Sequence, residues 1–94
     1  MVVRTMSDNK PKRRYSLLPW RAIGIIVDVL THGAEKHSDF GWVDVPSDDH
    51  FNAAMRHLTA WRTGHLVDPD SGYPHLAHAA CRVIFLLFTH QGRG

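Results

Sequence analysis

Hydrophobic residues recur at helical spacing in three stretches of the chain. The first stretch predicts a helix over residues 18–37, because its apolar side chains follow one another three and four positions apart. These side chains are Trp20, Ile23, Ile26, Val27, Leu30 and Ala34. Pro19 suits the first turn of this helix, where a missing backbone N–H leaves no hydrogen bond broken.

The second stretch predicts a helix over residues 48–63, with Ser47 as its N-cap and Gly64 as its C-terminal stop. Its larger apolar side chains share one face, which we expect to face the core. That face consists of Phe51, Ala54, Met55, Leu58 and Trp61. His50 and His57 lie seven residues apart at its boundary, and Arg56 points away from it.

The third predicted helix, over residues 74–90, is apolar on every side but one. His75, His78 and Arg82 are spaced by three and then four residues, which places them on one face. A helix that is otherwise apolar is usually buried, and an unpaired polar group in a dry interior costs several kcal/mol. We therefore expect partners for these three side chains from elsewhere in the chain, with Glu35, His57 and the turn at residues 68–70 as candidates.

No stretch alternates as a strand would, so the predicted fold is an all-α, three-helix compact domain. A chain of 94 residues buries a limited share of its surface, which favours completion by dimer or higher oligomer packing. Residues 1–15 are predicted to be a flexible basic tail, and residues 16–94 a single helical domain. The loop over residues 37–49 could cover a pocket, and Trp42 is its best candidate for stacking on a base.

Charge is distributed unevenly along the chain. Residues 1–14 carry five basic residues against Asp8, a net +4, so the remaining residues carry −2 within a total of +2. The short basic tail lacks interleaved aromatic residues and precedes an acidic body, which makes nucleic acid an unlikely partner. The longest apolar run, residues 83–88, is too short to span a bilayer, and no signal peptide is recognisable, so we expect a cytoplasmic protein. The single cysteine, Cys81, excludes an internal disulfide and a zinc site built on cysteines.

Several residues belong to types that bind divalent metals, move protons or bind phosphate. They are Glu35, Lys36, His57, Asp68, Asp70, His75, His78 and Arg82. His75 and His78 fit either a metal site or a hydrogen-bonded core pair. The turn that begins at Asp68 resembles a calcium loop for five residues, but Ala79 stands where an EF-hand needs a carboxylate, so a helix-capping turn is the simpler interpretation.

Five short motifs in order resemble one known family. They are SLLPW (16–20), LTHGAEKH (30–37), GW (41–42), RHLTAW (56–61) and DPDSGYPHLAHAAC (68–81). Together they are similar to the small phage-associated family of dATP/dGTP diphosphohydrolase N-terminal domains, over about residues 14–90. The resemblance implies a helical, MazG-like nucleotide pyrophosphohydrolase that forms a dimer or higher oligomer and uses magnesium or manganese. Its substrate would be a purine deoxynucleoside triphosphate, and its place of action the cytoplasm, that of the host cell if a phage encodes the chain.

The family motifs can be carried over residue by residue. Glu35 and Lys36 match its GAxK motif, Arg56 and His57 match its RH, and the final block matches at Asp68, Ser71, Gly72, His75 and His78. The resemblance thus implies catalytic and metal-binding roles for Glu35, Asp68, His75 and His78. Substrate-binding roles would fall to Lys36, Trp42, Arg56, His57 and Ser71. Arg82 is assigned to the substrate by its charge, because the family often has Asn at this position.

Three functions remain open at this point. The first is metal-dependent hydrolysis, with the metal on Glu35 and Asp68 and with His75 or His78 as a further ligand. Lys36, Arg56 or Arg82 would neutralise developing charge. The second is a non-catalytic protein that sequesters a host nucleotide or nucleotide signal. The third is a structural or interaction protein in which the polar stripe is a satisfied network within an oligomer core. The absence of the ExxE and ExxD pairs expected of MazG-like enzymes favours the second function.

Overall fold

The computed structural model describes residues 11–90, and within them the fold is all-α. Three α-helices cover Trp20–Lys36 (α1), Ser47–Arg62 (α2) and His75–His90 (α3), and short 3-10 helices cover Tyr15–Leu17 and Gly41–Asp44. The prediction of a three-helix domain is confirmed, with each boundary shifted by two residues at most. Most of the predicted basic tail lies outside the described residues. None of the helices in this part of the chain is long and apolar enough to cross a membrane.

The helix ends follow from their local sequence. Proline lies just before the first residue of both α1 and α2, so Pro46 rather than Ser47 is the N-cap of α2. Two acidic residues, Asp48 and Asp49, occupy the first turn of α2, where the helix dipole favours negative charge. After α2 the chain turns at Gly64 with φ of 101°, a left-handed conformation that glycine adopts without steric cost.

Helix α3 packs against both α1 and α2, and more extensively against α2. The buried apolar cluster joins Val29 of α1 to Ala77, Cys81 and Phe85 of α3, and Trp42 from the intervening loop packs against it. The indole of Trp42 stacks on the ring of Phe85, with centroids 4.3 Å apart and planes only 8° from parallel. The loop over residues 37–46 is therefore attached to the core.

The predicted core face of α2 is confirmed at Ala54 and wrong for its larger side chains. The residues of α2 that are buried are His50, Ala53 and Ala54, whereas Phe51 and Met55 are about half exposed. Small side chains and histidines let α2 approach the polar stripe of α3, and the two helices could not approach as closely with Phe51 and Leu58 between them. The hydrogen-bonding needs of that stripe thus outweigh the burial of a larger apolar face.

Both α2 and α3 consequently present apolar side chains to solvent. On α3, Leu76, Val83 and Leu87 lie on the side away from the histidine stripe, and Leu87 is 70% exposed. On α2, Phe51, Met55 and Leu58 form a second exposed row at spacings of four and three residues. We call these residues the outer apolar faces of α2 and α3. Contiguous exposed apolar surface of this kind is characteristic of sites that another polypeptide covers.

Candidate functional site

The turn that leads into α3 places two polar side chains beside the helix. Val67 and Pro74 form an isolated antiparallel bridge, and Gly72 closes the turn at φ of 79° by donating its N–H to the carbonyl of Asp68 at 2.8 Å. Asp68 Oδ1 accepts the backbone N–H of Asp70 at 3.0 Å, which leaves Oδ2 free to face α3. Ser71 Oγ accepts the backbone N–H of Tyr73 at 3.1 Å. The turn thus holds Asp68 and Ser71 in defined positions.

Three imidazoles meet this turn between α2 and α3. His57 Nδ1 lies 2.9 Å from His75 Nδ1 in a hydrogen bond, and the rings of His57 and His78 stack with centroids 4.6 Å apart. His78 Nε2 lies 2.6 Å from Ser71 Oγ and 3.5 Å from Asp68 Oδ2. The expected partners of the polar stripe on α3 are therefore present for both of its histidines.

Burial favours the neutral form of two of these imidazoles, those of His57 and His78. It lowers the pKa of His57 to about 4, with a further lowering from the neighbouring His78 and His75. The pKa of His78 is also lowered, mainly by burial, although Asp68 partly opposes this. A neutral imidazole has a lone pair available to a metal ion at neutral pH.

Within residues 11–90, the one group of side chains with metal-binding geometry consists of His57, Asp68 and His78. One ligand atom from each lies within 4.8 Å of the others, and all three side chains are partly exposed. Two imidazole nitrogens and one carboxylate oxygen suit transition metals such as zinc and iron(II), and manganese less tightly, whereas magnesium prefers oxygen ligands alone. The donor set therefore fits a transition metal ion better than it fits magnesium.

Arg82, the third member of the stripe, has a different environment. Its Nη1 donates to Nδ1 of His50 at 3.1 Å, and Nε2 of His50 donates to the backbone carbonyl of Trp42 at 3.0 Å. Burial lowers the pKa of Arg82, and the positive charge of Arg56 lowers it further. A guanidinium still keeps its charge at neutral pH.

A depression open to solvent lies where these two arginines approach each other. It has a volume of about 360 Å³ and is lined by Val45, Asp49, Asn52, Arg56 and Arg82. The one ion pair in the described part of the chain joins His78 to Asp68, so neither arginine has a carboxylate at salt-bridge distance. Two neighbouring cations without such a partner form a favourable environment for an anion.

Three predicted site residues lie outside this arrangement. Glu35 and Lys36 occupy the exposed last turn of α1, and Glu35 is not part of the metal-binding group. Trp42 packs on Phe85 and Phe88 beside the core, so the indole face that stacks on Phe85 is not available to a base. The structure does bring together Arg56, His57, Asp68, Ser71, His75, His78 and Arg82 along the contact between α2 and α3.

His50 belongs to this arrangement, although the sequence pattern placed it only at the boundary of the predicted core face of α2 and not among the candidate site residues. Its side chain is only 1% exposed, and both ring nitrogens are hydrogen-bonded. It lies two helical turns before His57 on the same face of α2, and this repeat was the sequence feature that could have identified it. The stripe on α3 is thus matched by a histidine stripe on α2.

Comparison with known proteins identifies one family. A sequence model of the family described as dATP/dGTP diphosphohydrolase, N-terminal, matches residues 4–93. No curated protein and no solved structure matches the chain significantly. The match covers nearly the whole chain, including every residue of the site.

Proposed function

The chain belongs to the dATP/dGTP diphosphohydrolase N-terminal family, and on this premise we propose that it binds a purine deoxynucleoside triphosphate between α2 and α3. The proposed reaction is hydrolysis of the bond between the α- and β-phosphates. Water adds to phosphorus, the phosphoanhydride bond breaks, and a nucleoside monophosphate and pyrophosphate leave. The family membership supports the substrate class, and the side chains along α2 and α3 support the location.

The metal would be held by His57, Asp68 and His78. A divalent cation at that position would polarise the phosphates and make a nearby water more acidic. The neutral imidazoles of His57 and His78 and the partial exposure of all three side chains support this role, and the two nitrogen ligands favour a transition metal such as manganese over magnesium. His75 would act as an orienting group, because it is hydrogen-bonded to Nδ1 of His57 and leaves Nε2 for the metal. Ser71 is hydrogen-bonded to Nε2 of His78, the nitrogen that faces Asp68, and would release it when a metal binds there.

The phosphates would be held by Arg56 and Arg82. Both guanidiniums line the same open depression and have no carboxylate at salt-bridge distance, so both would attract an anion there, against the opposing charge of Asp49 on the same wall. During hydrolysis they would neutralise the charge that develops on the departing pyrophosphate. Glu35, Lys36 and Trp42 have no part in this proposal.

The observation that carries the proposal is that the metal-binding residues and the two arginines lie next to each other. Arg56 directly precedes the metal-binding residue His57, and Arg82 follows His78 by one helical turn, about 6 Å along the axis. Arg82 is also close enough to lower the pKa of both His57 and His78. A triphosphate is long enough to contact a cation at one group and the arginines at the other.

The test is release of pyrophosphate from dATP and dGTP in the presence of Mn²⁺. We expect turnover by the unaltered chain, loss of at least a hundredfold in Asp68→Asn, and a smaller loss in Arg56→Gln that appears mainly in KM. Arg62→Gln, at the exposed end of α2, is the matched control and should have wild-type activity. Absence of pyrophosphate above background across the dNTPs, with Mn²⁺ or Mg²⁺, would exclude hydrolysis.

A second candidate function is nucleotide sequestration without turnover. It is favoured by the carboxylate content of the site, because Asp68 is the one acidic member of the metal-binding group. A site poor in carboxylates and rich in arginine and histidine binds phosphate well but offers little to a hydrolytic metal pair. Stoichiometric binding of a nucleotide in EDTA, with the ligand recovered intact, would support this function, and binding that vanishes on chelation would argue against it.

We further propose that the chain acts as a homo-oligomer in the cytoplasm, that of the host cell if a phage encodes it. The outer apolar faces of α2 and α3 support association, because so many large side chains there remain exposed in one copy. The proposed nucleotide substrate supports the proposed cytoplasmic location.

A further inference from the structure

His50 joins three parts of the chain through one buried ring. It lies in the first turn of α2, is 1% exposed, and is hydrogen-bonded to the loop at Trp42 and to α3 at Arg82. A backbone carbonyl can only accept and a guanidinium can only donate, so the two bonds require one particular form of the ring. That form is the neutral imidazole with its proton on Nε2, which donates to Trp42 and accepts from Arg82 at Nδ1.

Because the imidazole of His50 is uncharged, it holds Arg82 without neutralising it. A carboxylate in the same place would orient the guanidinium but would also neutralise it and compete with any incoming phosphate. An uncharged nitrogen orients the guanidinium without neutralising it, so Asp49, which lines the depression without forming a salt bridge to Arg82, is the one negative charge there that an incoming phosphate would meet. Because a free arginine side chain loses much rotamer freedom when it binds, an arginine that is already fixed binds an anion more tightly.

We propose that His50 is a positioning residue for phosphate binding, holding Arg82 in the depression beside Arg56 through an uncharged hydrogen bond. This inference rests on the proposed function, since it assumes that Arg82 contacts the phosphates of the nucleotide. His50 itself does not line that depression. It acts through Arg82, and through the Trp42 carbonyl it ties the position of Arg82 to the loop over residues 37–46.

Two conservative substitutions separate the two hydrogen bonds. In His50→Asn the amide oxygen occupies roughly the place of Nδ1, so it can still accept from Arg82, while the bond to Trp42 is lost. In His50→Gln the amide nitrogen reaches roughly the place of Nε2, so the bond to Trp42 is kept and the acceptor for Arg82 is lost. Cys81→Ala, which changes a buried residue next to Arg82 without removing a partner of its guanidinium, is the control.

The first measurement is affinity for a dGTP analogue whose α- and β-phosphates are joined by a methylene group, in the presence of Mn²⁺. We expect His50→Gln to bind about tenfold more weakly than the wild type, which is the effect of one hydrogen bond to a charged group, and His50→Asn to stay within about threefold. In an Arg82→Gln background the difference between the two variants should disappear. Equal losses in both variants, or a difference that persists without Arg82, would mean that His50 serves folding alone.

The second measurement needs no ligand. Nitrogen-15 NMR of the arginine side chains should show slow rotation and slow proton exchange for the Arg82 guanidinium in the wild type, in His50→Asn and in Cys81→Ala, and faster exchange in His50→Gln. A freely rotating Arg82 in the wild type would overturn the proposal even if no variant folds. If the wild type fails to bind the analogue while Arg82 is held by His50, the proposed function fails and the structural role of His50 stands.

Discussion

The imidazoles of His57 and His78 lie face to face, with their planes 12° from parallel, although they come from different helices. Two protonated rings would repel each other strongly at this distance, so the arrangement requires that at least one of them be neutral. The low pKa of His57, about 4, has its main cause in burial and its second in the charge of His78. The stacked pair is therefore a pH-sensitive element of the fold.

We expect the stability of the chain to fall as the pH is lowered from about 6.5 to about 4. In this window the unfolded chain binds a proton at His57 and the folded chain does not, so the free energy of unfolding increases with pH. In His57→Asn, which keeps a hydrogen-bonding group opposite His75 but cannot titrate, the decline should be shallower. Urea denaturation at pH 7, 6 and 5 measures how steeply the free energy of unfolding depends on pH in the wild type and in His57→Asn. Equal slopes in the two proteins would contradict the assignment to His57.

Metal binding should depend on Asp68 and not on Glu35, although both carboxylates are predicted as metal ligands from the sequence. Mn²⁺ at a hundred times its dissociation constant should stabilise the wild type by about 2.7 kcal/mol, and Mg²⁺ at the same concentration by less. Asp68→Asn should lose this stabilisation, because its amide oxygen can still accept from Asp70 but the negative charge facing His78 is gone. Glu35→Gln is the matched control and should retain it, since Glu35 lies outside the group of His57, Asp68 and His78.

Thermal unfolding with and without EDTA provides the measurement for both variants. A loss of the metal effect in Glu35→Gln but not in Asp68→Asn would transfer the site to the end of α1. It would keep Glu35 in the ligand set that the family resemblance implies and remove Asp68 from it.

The sequence predicted the helices well because each helix is encoded by its own spacing of apolar residues. It also predicted that the stripe of His75, His78 and Arg82 would find partners, since burying unpaired polar groups is costly. The rotation of α2 could not be predicted in the same way. Its apolar row and its His50–His57 row are neighbours on the helix surface, and only the approach of α3 decides which of them is inside.

The position of Trp42 was unpredictable for a related reason. The loop over residues 37–46 has no periodicity, so nothing in its sequence specifies that the indole turns inward onto Phe85. The distance from Glu35 to the metal-binding group likewise depends on how α1 crosses α3, which is a property of packing. Spacing within one helix specifies which residues share a face, whereas distances between helices depend on all three.

Trp42 should behave as a core residue. Trp42→Ala removes the ring that stacks on Phe85 and contacts Phe88, and should lower the free energy of unfolding by about 2–3 kcal/mol. Trp42→Phe retains an aromatic ring and should cost about half as much. Urea denaturation compares the two variants with Phe40→Ala, whose ring is 72% exposed and should matter little. If Trp42→Ala weakens nucleotide binding at unchanged stability, the indole is a base platform instead.

The outer apolar faces of α2 and α3 should mediate self-association. We expect the wild type to have a mass of at least twice the 10.7 kDa of one chain in light scattering coupled to gel filtration. Leu87→Glu should reduce that mass to one chain, because an ionised carboxylate cannot be buried in an apolar interface without a partner. The same substitution should change the free energy of unfolding of an isolated chain little, since Leu87 is largely exposed in one copy.

Thr31→Glu, an equal change of charge at an exposed polar position of α1, is the control and should keep the wild-type mass. A wild type of 10.7 kDa at micromolar concentration would refute self-association. The outer apolar faces would then have to be covered by a different polypeptide, because an exposed surface this apolar would otherwise promote aggregation.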